Sequence, residues 1–234
     1  DYYASRGLGD VYKRQYFKGA VYLLENLRIK LVKIAQEAEK YGLCKEKTGS
    51  FSIKDSTTGY ILITPSQVSR SDLKPENICI VDMDGKTIEV ENNKKPSSEI
   101  LLHLEIYNQK KDVKAVMYAH SLYATIFAVA NKVIPPIVAD SRHYGGYIYV
   151  APYEKAQTID LAKSVIGPLS KNDVCLLERH GVVITSKKID EILTKARYVE
   201  DVAEIYYKVL LLNNFREPNR LDIEEIKSWN KSQW

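Results

Sequence analysis

Two spacings of hydrophobic residues alternate along the chain, and they predict helices and strands in mixed order. Apolar residues recur every three or four positions in 20–41, and Gly42 follows where helices commonly end, so this segment is predicted to be a helix. Helical spacing also marks 100–109, 122–131, 156–169, 190–212 and 221–230. Apolar runs predict strands at 59–66, 77–90, 113–119 and 146–153, with two more inside 173–185.

The order of these segments favours an α/β fold with one domain. An Asp84-Gly85 pair predicts a tight hairpin turn inside 77–90. Several strands follow one another with no helix between them, which argues against a purely alternating, doubly wound sheet. We therefore predict a single domain whose central sheet is largely antiparallel and flanked by helices.

The first fifteen residues are set apart from this domain. Residues 5–15, "SRGLGDVYKRQ", resemble the conceptual translation of a sequencing-library adapter, and the chain begins with Asp1 rather than Met. We predict that 1–15 is a non-native leader and that the domain covers 16–234. The alternative is a genuine tail.

Composition excludes several classes of function. The formal charge of +4 is spread along the chain, without the dense basic stripe of a nucleic-acid-binding protein. No apolar stretch approaches the ~20 residues that span a bilayer. The three cysteines are widely spaced and form no CxxC motif, which fits reduced thiols and a cytoplasmic location. We expect Cys79 and Cys175, inside apolar strand patterns, to be core residues.

Two histidines stand at the ends of predicted strands. His120 ends the segment "VMYAHS", and His180 precedes Gly181. Strand ends can present ligands to a shared cleft, although each histidine taken alone is more often a surface or core residue. Tyr118 lies two positions before His120, on the same face of the strand.

Two short segments have the composition of anion-binding loops. Ser97, Ser98 and Glu99 open a predicted helix, where hydroxyls and free N–H groups favour phosphate. The alternative is ordinary capping by a serine. The segment 47–52, "KTGSFS", combines a glycine with hydroxyl side chains, and its alternative is a simple turn.

Taken in order, these segments resemble the class II aldolase/adducin family, and within it the L-fuculose-1-phosphate aldolase branch. The resemblance runs from about residue 20 to 230. It rests on five segments: "KTGSFS", "ILITPSQVSRSDLKPENICIVDMDG", "KPSSEILLHLEIY", "YAHS" and "LLERHGVVI".

The resemblance implies a metal-dependent site on a sheet sandwiched between helix layers. His120, His180 and Glu99 match ligands of a divalent metal, usually Zn²⁺, and Glu99 also matches the catalytic proton-transfer residue. The phosphate of the substrate would be bound by Gly49, Ser50, Ser97 and Ser98. The resemblance further implies a homotetramer acting on a small-molecule sugar phosphate.

Two positions depart from the family pattern. Tyr118 replaces the first metal-binding histidine, and a phenol must lose a proton near pKa 10 before it coordinates well. Ser50 replaces an asparagine, which shortens the reach of the side chain. His143 is expected to be an exposed loop residue and His103 to pack or hydrogen-bond rather than to bind metal.

The sequence thus predicts a lyase of carbohydrate metabolism: an aldolase that cleaves a sugar 1-phosphate to dihydroxyacetone phosphate and an aldehyde. A sugar-phosphate 4-epimerase is an enzymatic alternative. A non-catalytic, adducin-like module is the alternative from another class, and Tyr118 is the residue that favours it.

Overall fold

A computed structural model of the chain describes residues 24–90 and 94–229. The predicted leader, 1–15, lies outside the described residues. The eight described strands are β1 (Ser50–Lys54), β2 (Ile61–Ile63), β3 (Cys79–Val81), β4 (Thr87–Glu89), β5 (Ala115–Ala119), β6 (Tyr149–Ala151), β7 (Val174–Leu177) and β8 (Gly181–Ser186). The described helices are α1 (24–40), α2 (Ile100–Gln109), α3 (Leu122–Val129), α4 (Ile159–Ser164), α5 (Ile166–Lys171), α6 (Ile192–Leu212) and α7 (Ile223–Trp229).

All eight strands form one sheet in the order β4-β3-β2-β1-β5-β8-β7-β6. Every neighbouring pair is antiparallel except β6 and β7, which are parallel. The predicted α/β fold with a largely antiparallel sheet is therefore confirmed. The hairpin predicted at Asp84-Gly85 joins β3 to β4, with the Gly85 N–H donating to the Asp82 carbonyl over 3.1 Å.

Helices cover both faces of this sheet. One buried cluster includes Leu31 of α1, Phe127 of α3 and Val199 of α6, packed with Phe51 and Met117 of the sheet. The other face packs against α2, α4 and α5, and its cluster includes Leu102, Leu161, Leu169 and Cys175. The layered arrangement follows from alternation, because neighbouring residues of a strand point to opposite faces.

Strand β1 was not predicted, although it lies near the centre of the sheet. The segment "SFSIK" alternates serine with apolar residues. Its first three residues fall in the segment 47–52, which the sequence predicts to be a loop. In the structure Phe51 and Ile53 enter one cluster, whereas Ser50 and Ser52 are buried on the opposite face. A strand with serines on one face has the composition of a loop, so the sequence predicts a strand only when a polar partner for that face is known.

Smaller differences concern the ends of elements. The helix predicted at 156–169 is divided at Val165 into α4 and α5. Helix α2 begins at Ile100, with Glu99 rather than a serine at the N-cap position. The thiols of Cys44, Cys79 and Cys175 are free and buried, as expected for core cysteines. Within the described ranges, no helix has the length and apolar character needed to cross a membrane.

The partner of the serine face is His103 of α2, which is fully buried. Its Nε2 lies 2.7 Å from the Ser50 hydroxyl, and its Nδ1 lies 2.7 Å from the Ser52 hydroxyl. Ser52 also hydrogen-bonds the Tyr107 hydroxyl over 2.8 Å. A neutral imidazole donates through one nitrogen and accepts through the other, so this group ties α2 to β1 with no unpaired ring atom. The expectation that His103 hydrogen-bonds is confirmed.

We predict that His103→Gln lowers the free energy of unfolding at pH 8 by about 1–3 kcal/mol, because buried hydroxyls lose partners. Burial lowers the pKa of His103 from 6.5 to about 3. The unfolded chain therefore binds the proton first, and the stabilisation present above pH 6.5 falls as the pH drops towards 3. Urea denaturation from pH 8 to pH 4 should show a shallower pH dependence for His103→Gln than for the wild type.

The matched control is His143→Gln. His143 was expected to be an exposed loop residue, which is wrong: it is half-buried in a short 3-10 helix. Its ring stacks on the Tyr198 ring at 4.0 Å between ring centroids, away from the serine face. Its replacement should leave most of the pH dependence in place. Equal slopes for wild type and His103→Gln would contradict the assignment.

Candidate active site

A polar cleft of about 270 Å³ opens at one edge of the sheet. At this edge β1 begins, β5 ends and a turn joins β7 to β8, because antiparallel neighbours alternate their ends. The start of α2 adds a fourth element. The cleft is lined by Lys47, Gly49, Pro65, Ser66, Gln67, Arg70, Ser97, Ser98, Glu99, Tyr118, His120, Ala156 and His180.

Glu99 lies at the N-terminus of α2, within the turn that holds Ser97 and Ser98. The turn is fixed to the end of β2, since the Ser97 N–H donates to the Thr64 carbonyl over 3.0 Å. The Glu99 N–H donates to the Ser97 hydroxyl over 3.3 Å. Burial raises the pKa of the Glu99 carboxyl, while the Gln157 N–H and the charge of His180 act in the opposite direction. Its Oε2 atom is buried and has no hydrogen-bond partner.

Tyr118 and His120 project from the end of β5 into the same cleft. Their ring centroids are 4.8 Å apart. Burial and the nearby carboxylate of Glu99 both raise the pKa of Tyr118, so its phenol is neutral at physiological pH. Burial lowers the pKa of His120, and His180 adds to this effect. The His120 Nδ1 atom is buried without a partner.

His180 is presented by the turn between β7 and β8. Its Nε2 lies 2.8 Å from the Glu154 carbonyl oxygen, and its ring stacks on Tyr153 with 5.6 Å between ring centroids. The preceding residue, Arg179, has a φ of 60°, which turns the chain sharply at this point. The histidine therefore reaches the cleft while one ring nitrogen is held by the backbone.

The residues predicted to bind phosphate are only partly brought together. Gly49, Ser97 and Ser98 line the cleft. The Ser50 hydroxyl instead points into the core towards His103, and this residue is 1% exposed. Ser50 thus belongs to β1, and its hydroxyl is already hydrogen-bonded to His103 of α2.

Lys47 and Arg70 also line the cleft, and neither was singled out from the sequence. Arg70 lies in "VSRSDL", between two serines in the loop after β2. Its neighbours Val68 and Leu73 are buried, which places the loop close against the core. A single sequence holds no signal that the arginine between them also turns inward.

Unpaired buried polar atoms are concentrated in this cleft. Across residues 24–90 and 94–229, buried side-chain atoms without a hydrogen-bond partner are Nε and Nη1 of Arg70, Oε2 of Glu99, Nδ1 of His120 and Oγ1 of Thr125. All but the last belong to cleft residues. Folded proteins pair nearly all buried polar groups, so such a concentration indicates a site that completes its bonds with a ligand.

The donor set fits a metal ion only in part. The free atoms of Glu99 and His120 are suitable ligands, and a site of two histidines and one carboxylate is an established zinc chemistry. His180, however, is held by the Glu154 carbonyl, and the described residues contain no group of three His, Cys, Asp or Glu side chains placed to hold a metal together. The bond to Glu154 does not itself prevent metal binding, because ligand histidines commonly donate their second ring N–H to a backbone carbonyl.

Comparisons with known proteins identify the family of the chain. The family described as "Class II Aldolase and Adducin N-terminal domain" matches residues 29–207. The chain is 31% identical over 206 residues to the 5-deoxy-D-ribulose 1-phosphate aldolase of Bacillus thuringiensis serovar kurstaki, covering 88% of this chain and 94% of that protein. It is 32% identical over 168 residues to the L-fuculose phosphate aldolase of Methanococcus maripaludis, covering 72% and 87%.

The solved structures give the same result. An L-fuculose 1-phosphate aldolase superposes with a TM-score of 0.81 at 28% identity, over 87% of this chain and 93% of that one. The resemblance inferred from the five sequence segments is confirmed.

We predict that Gly49→Ala distorts the cleft. A Cβ at this position would lie 2.8 Å from the Tyr118 carbonyl oxygen, and the backbone φ is +78°. The control is Gly59→Ala, which has a φ of +76° but open space around the added atom. Thermal unfolding should show a clearly larger loss of stability for Gly49→Ala. Equal losses would mean that the close approach to β5 contributes nothing beyond backbone strain.

Proposed function

The chain belongs to the class II aldolase and adducin family, and from that premise we propose that it is a lyase that cleaves a sugar 1-phosphate into dihydroxyacetone phosphate and an aldehyde. The observation that supports this most is the unpaired Glu99 carboxylate oxygen, which lies in one cleft with the serine turn and two histidines. Two similar proteins are named as aldolases of sugar phosphates.

We assign phosphate binding to the side of the cleft formed by Gly49, Ser97 and Ser98. The serine turn lies at the N-terminus of α2, where backbone N–H groups and the helix dipole favour an anion. The Ser97 hydroxyl lies near the Glu99 N–H, so phosphate and proton-transfer residue are set at a fixed spacing. Ser50 contributes no side chain to this assignment, because its hydroxyl bonds His103 and its backbone pairs with Tyr118 of β5.

Glu99 is the proposed proton-transfer residue. In the cleavage, a hydroxyl of the sugar loses its proton, the adjacent carbon–carbon bond breaks, and its electron pair moves towards the ketone to give an enediolate. The enediolate then takes up a proton at carbon and leaves as dihydroxyacetone phosphate. A carboxylate whose pKa is raised by burial is a stronger base than an exposed one and is therefore suited to receive and return that proton.

Residues His120, His180 and Glu99 are the proposed holders of a divalent metal, with zinc as the first choice from the family resemblance. When bound, the metal would stabilise the negative charge that develops on the substrate oxygens. The neutral phenol of Tyr118 would donate a hydrogen bond rather than coordinate, since burial and Glu99 raise its pKa.

The remaining proposals rest on the family resemblance and on composition. We propose a homotetramer in the cytoplasm, and the three free, buried cysteines are consistent with a reducing compartment. No observation favours the epimerase over the aldolase. Tyr118 favours the non-catalytic module, whereas Glu99, His120 and His180, which line one cleft, favour the aldolase.

We predict that Glu99→Gln lowers kcat by roughly 10²–10⁴-fold, the range typical for loss of a general acid or base, while KM changes little. The assay follows dihydroxyacetone phosphate released from 5-deoxy-D-ribulose 1-phosphate and from L-fuculose 1-phosphate. Wild-type activity should rise with pH through the raised pKa of Glu99, because the carboxylate form is the base. The control is Glu105→Gln on the same helix, where the Glu105 carboxylate accepts a solvent-exposed hydrogen bond from the Gln109 amide. Full activity in Glu99→Gln would remove this residue from the mechanism.

A second prediction concerns metal content. Protein beginning at residue 16, purified without chelator, should contain about one zinc per chain by mass spectrometry, the stoichiometry of a mononuclear catalytic site. His180→Ala should lose the metal, and Tyr118→His should bind it more tightly because an imidazole replaces a neutral phenol. A wild-type chain that binds no zinc even after its addition would favour the non-catalytic module.

A further inference from the structure

Two arginines are buried in the described part of the chain, and their surroundings differ. The Arg28 guanidinium donates to the carbonyls of Pro75 and Ile78 and forms an ion pair with Glu89 at 2.5 Å. That residue has the partners expected of a structural arginine. Arg70 is even less exposed, at 1%, yet no carboxylate in the described ranges forms an ion pair with it.

The contacts of Arg70 leave most of its donor groups unused. Its Nη2 donates to the carbonyls of Lys47, Thr48 and Gly49, at 3.3, 3.3 and 2.5 Å. Nε and Nη1 are buried without a well-formed hydrogen bond, and the Cys44 thiol beside the guanidinium is only a weak acceptor. The guanidinium also packs on the Phe51 ring, with its Cζ 5.5 Å from the ring centroid. Burial lowers its pKa, while the nearby Cys44 and Glu39 raise it, and arginine stays charged at physiological pH.

A buried charge without a counter-ion destabilises a fold, and carbonyl groups alone leave that charge without neutralisation. The bonds of Arg70 to three carbonyls explain its position but supply no opposite charge. Arg70 lines the cleft together with Lys47, and the serine turn, Ser97 and Ser98, lies in the same cavity. The missing counter-ion is therefore expected in the cleft.

The hold of Arg70 on three carbonyls also orients the loop before β1. The Thr48 N–H donates to the Lys45 carbonyl over 2.8 Å, and Ser50 pairs with Tyr118 of β5. Gly49, which lines the cleft, lies between these two bonded residues. The close approach of Gly49 to the Tyr118 carbonyl keeps this loop against β5.

We propose that Arg70 is the buried cation of the phosphate subsite: it supplies the positive charge for the substrate phosphate and holds the 47–49 loop at the edge of the cleft. This inference rests on the proposed function, because the phosphate is that of the sugar phosphate. Arg70 acts here as a binding and positioning residue and takes no part in proton transfer. The charge of Arg70 compensates for the Ser50 side chain, which is turned to the core and bonds His103 instead of the phosphate.

The test is the binding of inorganic phosphate, measured by calorimetry on the intact chain. Arg70→Met should weaken phosphate binding by about 10- to 100-fold, as expected for loss of a charged hydrogen-bond donor. Arg70→Lys should recover part of that loss through its charge. The control is Arg28→Met, which removes the other buried arginine and should leave phosphate affinity unchanged. Phosphate affinity in Arg70→Met within twofold of the wild type would overturn the proposal.

A wild-type measurement covers the case in which Arg70→Met does not fold. In ¹⁵N-labelled protein, phosphate should shift the Nε–H resonance of Arg70 and leave that of Arg28 in place. An unshifted Arg70 resonance at saturating phosphate, or a wild-type chain that binds no phosphate, would overturn the proposal.

Enzyme kinetics separate this inference from the proposed function. In an active enzyme, Arg70→Met should raise KM for the sugar phosphate far more than it lowers kcat, whereas Glu99→Gln should keep phosphate affinity and lose turnover. Phosphate binding that depends on Arg70, in a chain that cleaves no sugar phosphate, would refute the aldolase and leave the phosphate subsite standing. Cleavage with an unchanged KM in Arg70→Met would refute the role of Arg70 and leave the aldolase standing.

Discussion

The pairing of β1 with β5 is the constraint on which the cleft depends. Ser50 lies opposite Tyr118, so the chain leaving the 47–49 loop must run directly beside the residues that end β5. The contact is so close that a single methyl group at Gly49 would meet the Tyr118 carbonyl. Loop and strand end therefore move together, and the proposed phosphate and proton-transfer sides keep a fixed distance. A hydrogen bond from the Ser97 N–H to the Thr64 carbonyl fixes the serine turn to the end of β2, which is the other neighbour of β1.

Polar groups near β1 fall into two sets. In the core, His103 pairs both ring nitrogens with the hydroxyls of Ser50 and Ser52. In the cleft, Arg70 and Glu99 keep buried atoms without partners. The paired group stabilises the attachment of α2, and the unpaired groups reduce stability unless a ligand binds. The groups that stabilise the fold and the groups proposed to bind a ligand thus lie within a few residues of each other.

The sequence predicted those features that depend on periodicity or on a motif. Helices, the antiparallel sheet and the cleft position of Glu99, His120 and His180 follow from local patterns, and the family comparison confirms the fold. Strand β1 and the inward Ser50 were missed for one reason: the polar partner, His103, lies more than fifty residues away in the chain. The burial of Arg70 was missed in the same way, because the carbonyls that receive it belong to a distant loop. Long-range polar pairing leaves no local pattern.

Tyr118 changes the electrostatics of the cleft more than its shape. A histidine there would add a neutral ligand, whereas the phenol is kept protonated by burial and by Glu99. Its neutral hydroxyl carries no charge to offset that of Glu99, and burial raises the pKa of this carboxyl. The Gln157 N–H and the charge of His180 act in the opposite direction. In the proposed site Tyr118 would leave the metal with one ligand fewer, and the affinity for substrate would then depend more on the phosphate end, where Arg70 lies.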